Sequence, residues 1–207
     1  NNTFNISGRA IHASSASGSI ISDNEIAIVS TYSDWGLYLR YCDNCEFVNN
    51  VVNVPSGSGI YAQNSDNTSF TNNQLEVQYT GIYASNGGNL TFSDNTILGF
   101  RDRGIEFHSS ANSTFTGNTL ISTEYNEGDN YGLYNSSSNS NAVIEGNYIH
   151  IQDAATYNFG IYVYDADIDS NTVILENGNS SGNSNYNNPN CCIYGNRNTV
   201  TNNSVSI

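Results

Sequence analysis

The sequence predicts an all-β chain of short parallel strands stacked coil upon coil, a solenoid of about eight coils of 22 to 32 residues. Three observations carry this. An Asn followed by a small residue and an apolar run recurs at Asn24, Asn50, Asn73, Asn95, Asn118, Asn147 and Asn171. A Gly-Ile/Leu-Tyr triplet recurs between them, and self-similarity at 20 to 30 residues is the mark of a stacked repeat. Apolar residues alternate over short runs bounded by Asn, Gly, Ser and Asp, as half-buried strands do, and no segment shows a helical stripe.

Taken in order, the chain opens on Asn1-Asn2-Thr3-Phe4-Asn5-Ile6, an Asn-led strand, and continues to Ala10-Ile11-His12, a degenerate triplet. Full triplets follow at Gly36-Leu37-Tyr38, Gly59-Ile60-Tyr61, Gly81-Ile82-Tyr83, Gly104-Ile105-Glu106, Gly132-Leu133-Tyr134 and Gly160-Ile161-Tyr162, with Cys192-Ile193-Tyr194 as the last. From the Gly position to the next Asn is 14 residues in the first five coils, then 15, 11 and 11. Between the two lie sharp corners such as Asn72-Asn73, Asp94-Asn95 and Gly117-Asn118, since Asn and Gly tolerate left-handed backbone angles. Coils stacked at about 4.8 Å place the Asn side chains over one another, where their amides form a hydrogen-bonded ladder. Three long insertions follow consecutive coils, at 124–131, 152–159 and 176–190, and are expected to emerge side by side from one domain spanning 1–207.

The Gly-Ile-Tyr and Asn-x-apolar pattern resembles the right-handed parallel β-helix repeat, a superfamily that includes pectate lyases, polygalacturonases and many surface proteins. The resemblance covers essentially the whole chain and implies the fold; the superfamily hosts unrelated activities.

Composition narrows the partners. Formal net charge is −14, there is no Lys and no Met, and only 12% of residues are charged. Such a surface repels nucleic acid and anionic membranes, and no apolar run approaches the ~20 residues of a membrane span. Without an initiator Met or signal-like leader, the chain reads as exported and processed, at the cell surface or outside the cell, or as a fragment.

Cys42 and Cys45 form a CxxC, and Cys191 and Cys192 are adjacent. The pairs are about six coils, or roughly 29 Å, apart. That excludes a disulfide or a four-cysteine zinc site between them. The expected arrangement is a local Cys42–Cys45 bridge, with Cys191 and Cys192 bridged to each other or to a neighbouring subunit, in an oxidising compartment. Four free thiols are the alternative.

Strand alternation places His12, Tyr38, Tyr61, Tyr83, Glu106, Tyr134, Tyr162 and Tyr194 in one outward column. Aromatic rings with polar tips suit sugar rings or another protein, and they also stabilise one another as cross-strand neighbours. One coil departs from the pattern: Arg101-Asp102-Arg103-Gly104-Ile105-Glu106-Phe107-His108. In a carbohydrate-active β-helix, Glu106 would be the acid or base, His108 its partner and Arg103 a clamp for a substrate carboxylate. Tyr83 and Tyr134 flank Glu106 in the column, so no second carboxylate stacks on it. A self-neutralising surface cluster is the competing account.

Asp165, Asp167 and Asp169 diverge at about 6.8 Å along a strand, too far to converge on calcium. Arg197 falls over Asp165 as an ion-pair partner. No metal or other cofactor is expected. Of the Asn-x-Ser/Thr sites, Asn179 in the longest insertion is the glycan candidate.

The function expected from all this is a non-enzymatic, self-assembling extracellular structural protein, a sheath, S-layer-like lattice or fibre. Phe4 and Ile6 would accept Val205 and Ile207 of another copy as the next rung. The alternatives are a polysaccharide lyase or hydrolase, or a saccharide-binding adhesin, acting on the Tyr-lined face.

Overall fold

The computed structural model describes residues 2–29, 35–122, 128–138, 140–152, 157–176 and 190–207. Among them, three sheets run the length of the stack, of nine, eight and eight strands. The first sheet begins at Thr3–Ile6, passes through Glu25–Ile28, Val51–Val54, Gln74–Val77, Thr96–Leu98, Thr119–Ser122, Tyr148–Gln152 and Thr172–Glu176, and ends at Ser204–Ser206. The second, which carries the triplets, runs Ile11–Ser14, Trp35–Arg40, Ser58–Gln63, Thr80–Ser85, Arg103–His108, Asn130–Tyr134, Asn158–Tyr162 and Asn190–Tyr194. The third runs from Ile20–Ser22 to Thr199–Thr201. Each strand pairs in parallel with its counterpart one coil away, so the chain is a β-solenoid.

Strand alternation sorts the side chains. Ile60, Ile82, Ile105, Leu133 and Ile161 of the second sheet point inward and are fully buried. From the third sheet Phe47, Phe70, Phe92 and Phe115 stack at 5.1, 4.9 and 4.7 Å between ring centroids. The Gly of each triplet is set by space. A Cβ on Gly81 would stand 2.4 Å from both the Gly104 carbonyl oxygen and Ile97 Cγ2, so coil and facing sheet approach only over a bare backbone.

The recurrent Asn is a buried ladder. Asn73 Nδ2 donates to Asn95 Oδ1 at 3.0 Å and to the Phe47 carbonyl at 2.9 Å. Asn95 Nδ2 repeats both bonds to Asn118 Oδ1 and the Phe70 carbonyl. The residue before each, such as Asn49, Asn72 or Asp94, takes the left-handed conformation that turns the corner. A second, exposed Asn ladder at Asn67, Asn89 and Asn112 occupies another left-handed corner, so three of the Asn-x-Ser/Thr sites have a structural reason to be Asn.

The disulfide expectation is corrected. All four cysteines are free thiols. Cys42 and Cys45 are buried, their Sγ atoms donating to the carbonyls of Arg40 at 3.3 Å and Ala16 at 3.2 Å, and the turn closes without a covalent bridge. Cys191 and Cys192 are consecutive in a strand, which turns their side chains to opposite faces, Cys192 inward. The cysteines therefore give no argument for an oxidising compartment. Most of the insertions at 124–131, 152–159 and 176–190, and Asn179 with them, lie outside the described residues. No helix among the described residues is long and apolar enough to cross a membrane.

Phe4 and Ile6 lie on one outermost strand of the first sheet, packed partly against its neighbour. Val205, 55% exposed, lies on the other, with Ile207 just beyond it at 71%.

Candidate active site

The outer face of the second sheet carries the aromatic column. Cα register runs His12, Tyr38, Tyr61, Tyr83, Glu106, Tyr134, Tyr162 and Tyr194, each opposite the next. Tyr38 stacks on Tyr61 at 4.6 Å and Tyr61 on Tyr83 at 5.1 Å, with the ring planes nearly parallel in both cases. Trp35, from the position before the Gly, closes edge-on against Tyr61 at 5.3 Å. On the other side, Tyr131 stacks on Phe159 at 4.9 Å and packs against Tyr134 at 4.6 Å, while Tyr162 stacks on Tyr194 at 4.7 Å. Two aromatic banks thus flank one coil.

That coil is the one holding Glu106. The Glu106 residue is only 8% exposed although it points to the outer face. Its Oε1 lies 2.5 Å from His108 Nε2, and its Oε2 accepts from Arg103 Nη1 at 3.2 Å. The same Nη1 donates to Asp102 Oδ2 at 2.9 Å. The guanidinium also sits 4.6 Å from the Tyr134 ring centroid and 5.6 Å from that of Tyr131. His108 stands between Tyr83 and Tyr134, with ring centroids 6.0 and 5.7 Å away. A carboxylate fixed at both oxygens, touching an imidazole, is the orientation that acid–base chemistry needs.

Two neighbours complete the charge balance. Burial pushes the Asp102 carboxyl above the usual range, the negative charges of Glu106 and Asp129 add to that, and Arg103 opposes it. Tyr131 donates its hydroxyl to Asp129 Oδ2 at 3.0 Å, and burial followed by the Asp129 charge holds it a firm phenol. At the far end of the face, the Tyr162 hydroxyl contacts that of Tyr164 at 3.2 Å, the main cause of its raised titration.

Arg103 Nη1 is shared by two carboxylates of the protein itself. A second carboxylate does reach Glu106, along the chain from Asp102 rather than up the stack. Asp102 lies just before its strand, where alternation gives no side-chain direction; its one sequence signal was the Arg-Asp-Arg run. The Arg197 guanidinium pairs with both oxygens of Asp165, at 2.5 and 2.6 Å. No group of metal-ligating side chains is found among the described residues.

With fold and site described, the class of protein follows. The family model described as "Right handed beta helix region" matches residues 35–205, and the chain belongs to that family. Among solved structures, the chain is similar to DFA-IIIase from Arthrobacter chlorophenolicus A6 in complex with GF2. The identity is 16% and the TM-score 0.66, covering 89% of this chain and 46% of that one. A cysteine-to-alanine mutant of the same enzyme in complex with DFA-III gives 16% identity and a TM-score of 0.64 over the same shares. The chain thus spans less than half the length of these solved structures. A search of curated proteins found no match. The expectation of a non-enzymatic sheath, lattice or fibre protein, resting on repeat and end strands, is overturned here: the solved structures reported above, which share this solenoid, are of an enzyme.

Proposed function

We propose that this solenoid carries the active face of a carbohydrate-active enzyme that cleaves or transfers a glycosidic bond. Glu106 and His108 are its acid–base centre, Arg103 orients Glu106, and the two aromatic banks hold sugar rings on either side. The observation that carries this reading is the substitution within the column itself. Where the other full triplets place a half-exposed Tyr, one coil places a nearly buried carboxylate bonded to an imidazole and a guanidinium. A column serving only to stabilise the stack gains nothing from that exchange, because burying a charge costs more than stacking another ring. The likeness to an enzyme crystallised with GF2 and DFA-III supports the class. A neutral saccharide is the class this reading favours, since the carboxyls of Asp102, Glu106 and Asp129 gather around the centre beside Arg103 and His108.

The test is turnover. The protein is incubated with GF2, DFA-III, a panel of neutral oligosaccharides and polygalacturonate, and products are resolved by chromatography. Turnover of a neutral saccharide is expected, and Glu106→Gln, which keeps shape but removes the charge, should lower it about 1,000-fold. Wild-type protein inert across the panel, or Glu106→Gln as active as wild type, would remove the reading.

A further inference from the structure

Deepening the reading of the Tyr face as a saccharide track, on which its role rests, we propose that Arg40 and Arg9 form an anion subsite three coils from Glu106. It takes a single carboxylate, sulfate or phosphate at the far end of an otherwise neutral saccharide.

The argument starts from two guanidiniums without acids. Arg103 pairs with Asp102 and Glu106, and Arg197 with Asp165. Arg40 and Arg9 meet no carboxylate within ion-pairing distance among the described residues. That stands out in a chain of net charge −14.

Arg40 ends the strand Trp35–Arg40, two residues beyond Tyr38, so its side chain leaves by the same outer face. Its Nε is enclosed without a hydrogen-bond partner, and its guanidinium carbon is 5.6 Å from the Tyr41 ring centroid. A buried donor with no acceptor is a cost to the fold, so stability does not explain this arginine. Burial and the neighbouring tyrosines push the Tyr61 hydroxyl to a higher titration, and the Arg40 charge opposes them, which puts the guanidinium beside that hydroxyl. The Arg9 guanidinium carbon lies 4.0 Å from the Tyr38 ring centroid. A guanidinium laid on a ring keeps its N–H edge free for an oxyanion. Capping the aromatic stack accounts for Arg9 but not for Arg40.

Register fixes the reach. Arg40 lies opposite Gln63, Gln63 opposite Ser85, and Ser85 opposite His108. Three rungs make about 14 Å. The two arginines therefore sit at the outer end of the bank formed by Tyr38, Tyr61 and Tyr83, with Glu106 at its inner end. A saccharide along that bank would carry its reacting bond at one end and its charge at the other. Guanidinium forks match the paired oxygens of a carboxylate, sulfate or phosphate. Acids elsewhere on the solenoid oppose this weakly, because screening sets in at about 8 Å at physiological ionic strength. A polymer charged on every ring would still press carboxylates against Asp102, Glu106 and Asp129, so the subsite favours one charge over many.

The experiment is an NMR titration at low ionic strength with glucose, glucuronate, glucose 6-sulfate and glucose 6-phosphate. The best of the charged sugars should bind at least about tenfold more tightly than glucose, and the order among the three names the substituent. Arg40→Gln and Arg9→Gln should each remove most of that gain. Arg197→Gln, which deletes a cation at the other end of the solenoid, and Glu106→Gln should both leave it in place. Charged sugars that bind no tighter than glucose, or a gain lost equally in Arg197→Gln, overturn the subsite. Turnover of a neutral saccharide that disappears in Glu106→Gln would then still support the parent reading. A gain that follows Arg40 and Arg9 in a protein that turns over no saccharide confirms the anion site and removes its role beside a glycosidic centre.

Discussion

Asn95 shows how much one side chain does here. It donates to the Phe70 carbonyl and to Asn118 Oδ1, and its own Oδ1 accepts from the main chain and side chain of Asn73. All of these groups are buried, where an unmade bond costs about 1–3 kcal/mol. Asn95→Ala should therefore lower the unfolding free energy by about 3 kcal/mol or more. Asn72 differs: its side chain makes one exposed bond to Asn49, and its left-handed backbone is acceptable to Gly. Asn72→Gly should cost less than about 0.5 kcal/mol, and urea melts of the two variants make the comparison. Asp102 gives the matching pH prediction. Its carboxyl is raised in the fold, so its contribution to stability is present at low pH and is lost as pH rises through the raised value. Asp102→Asn removes that titration. Its stability relative to wild type should rise from about pH 4 to about pH 7, a trend urea melts across that range would show.

At the scale of strands and corners, the repeat was legible because it is written twice, in the buried Asn and in the Gly of the triplet. The space requirement behind that Gly predicts a position-specific cost. Gly81→Ala sets a methyl 2.4 Å from a backbone oxygen and should destabilise the fold by about 2 kcal/mol or more. Gly88→Ala, whose nearest neighbours would be 3.7 and 3.9 Å away, should be close to neutral. Thermal melts separate the two. The site was legible only in part. Glu106 and His108 stood out because they break a column that alternation defines. Asp102 did not, because it precedes its strand and meets Glu106 through Arg103 rather than through register. Arg103 was visible, and its pairing with Asp102 and Glu106 is the one the self-neutralising account of the run described; a guanidinium facing a ligand and one paired with the protein's own carboxylates look identical in sequence. The cysteines misled for a related reason. Spacing brings Cys42 and Cys45 together, but it does not record that both thiols already find carbonyl acceptors in the core.

Over the whole molecule, charge decides what this face can accept. The chain carries 19 Asp and Glu against 5 Arg, and the guanidinium beside Glu106, that of Arg103, is held by Asp102 and Glu106. A polyanion approaching the Tyr face meets repulsion from the whole solenoid and finds Arg103 already paired. Under the proposed function, a neutral saccharide would lose nothing to that field and would lie along the aromatic banks of Tyr38, Tyr61 and Tyr83 on one side and Tyr131 and Phe159 on the other. Elimination chemistry needs a uronate, whose carboxylate makes the neighbouring C–H acidic, so the same charge argument favours hydrolysis or transfer over a lyase reaction. At low ionic strength polygalacturonate should bind at least about tenfold more weakly than a neutral glycan of equal length. The gap should narrow as salt shortens the screening length from about 10 Å at 0.1 M toward 3 Å at 1 M. Calorimetric titration of both polymers across that salt range reads the effect. Tighter binding of polygalacturonate, or release of an ultraviolet-absorbing unsaturated product from it, would reverse the assignment of a neutral substrate.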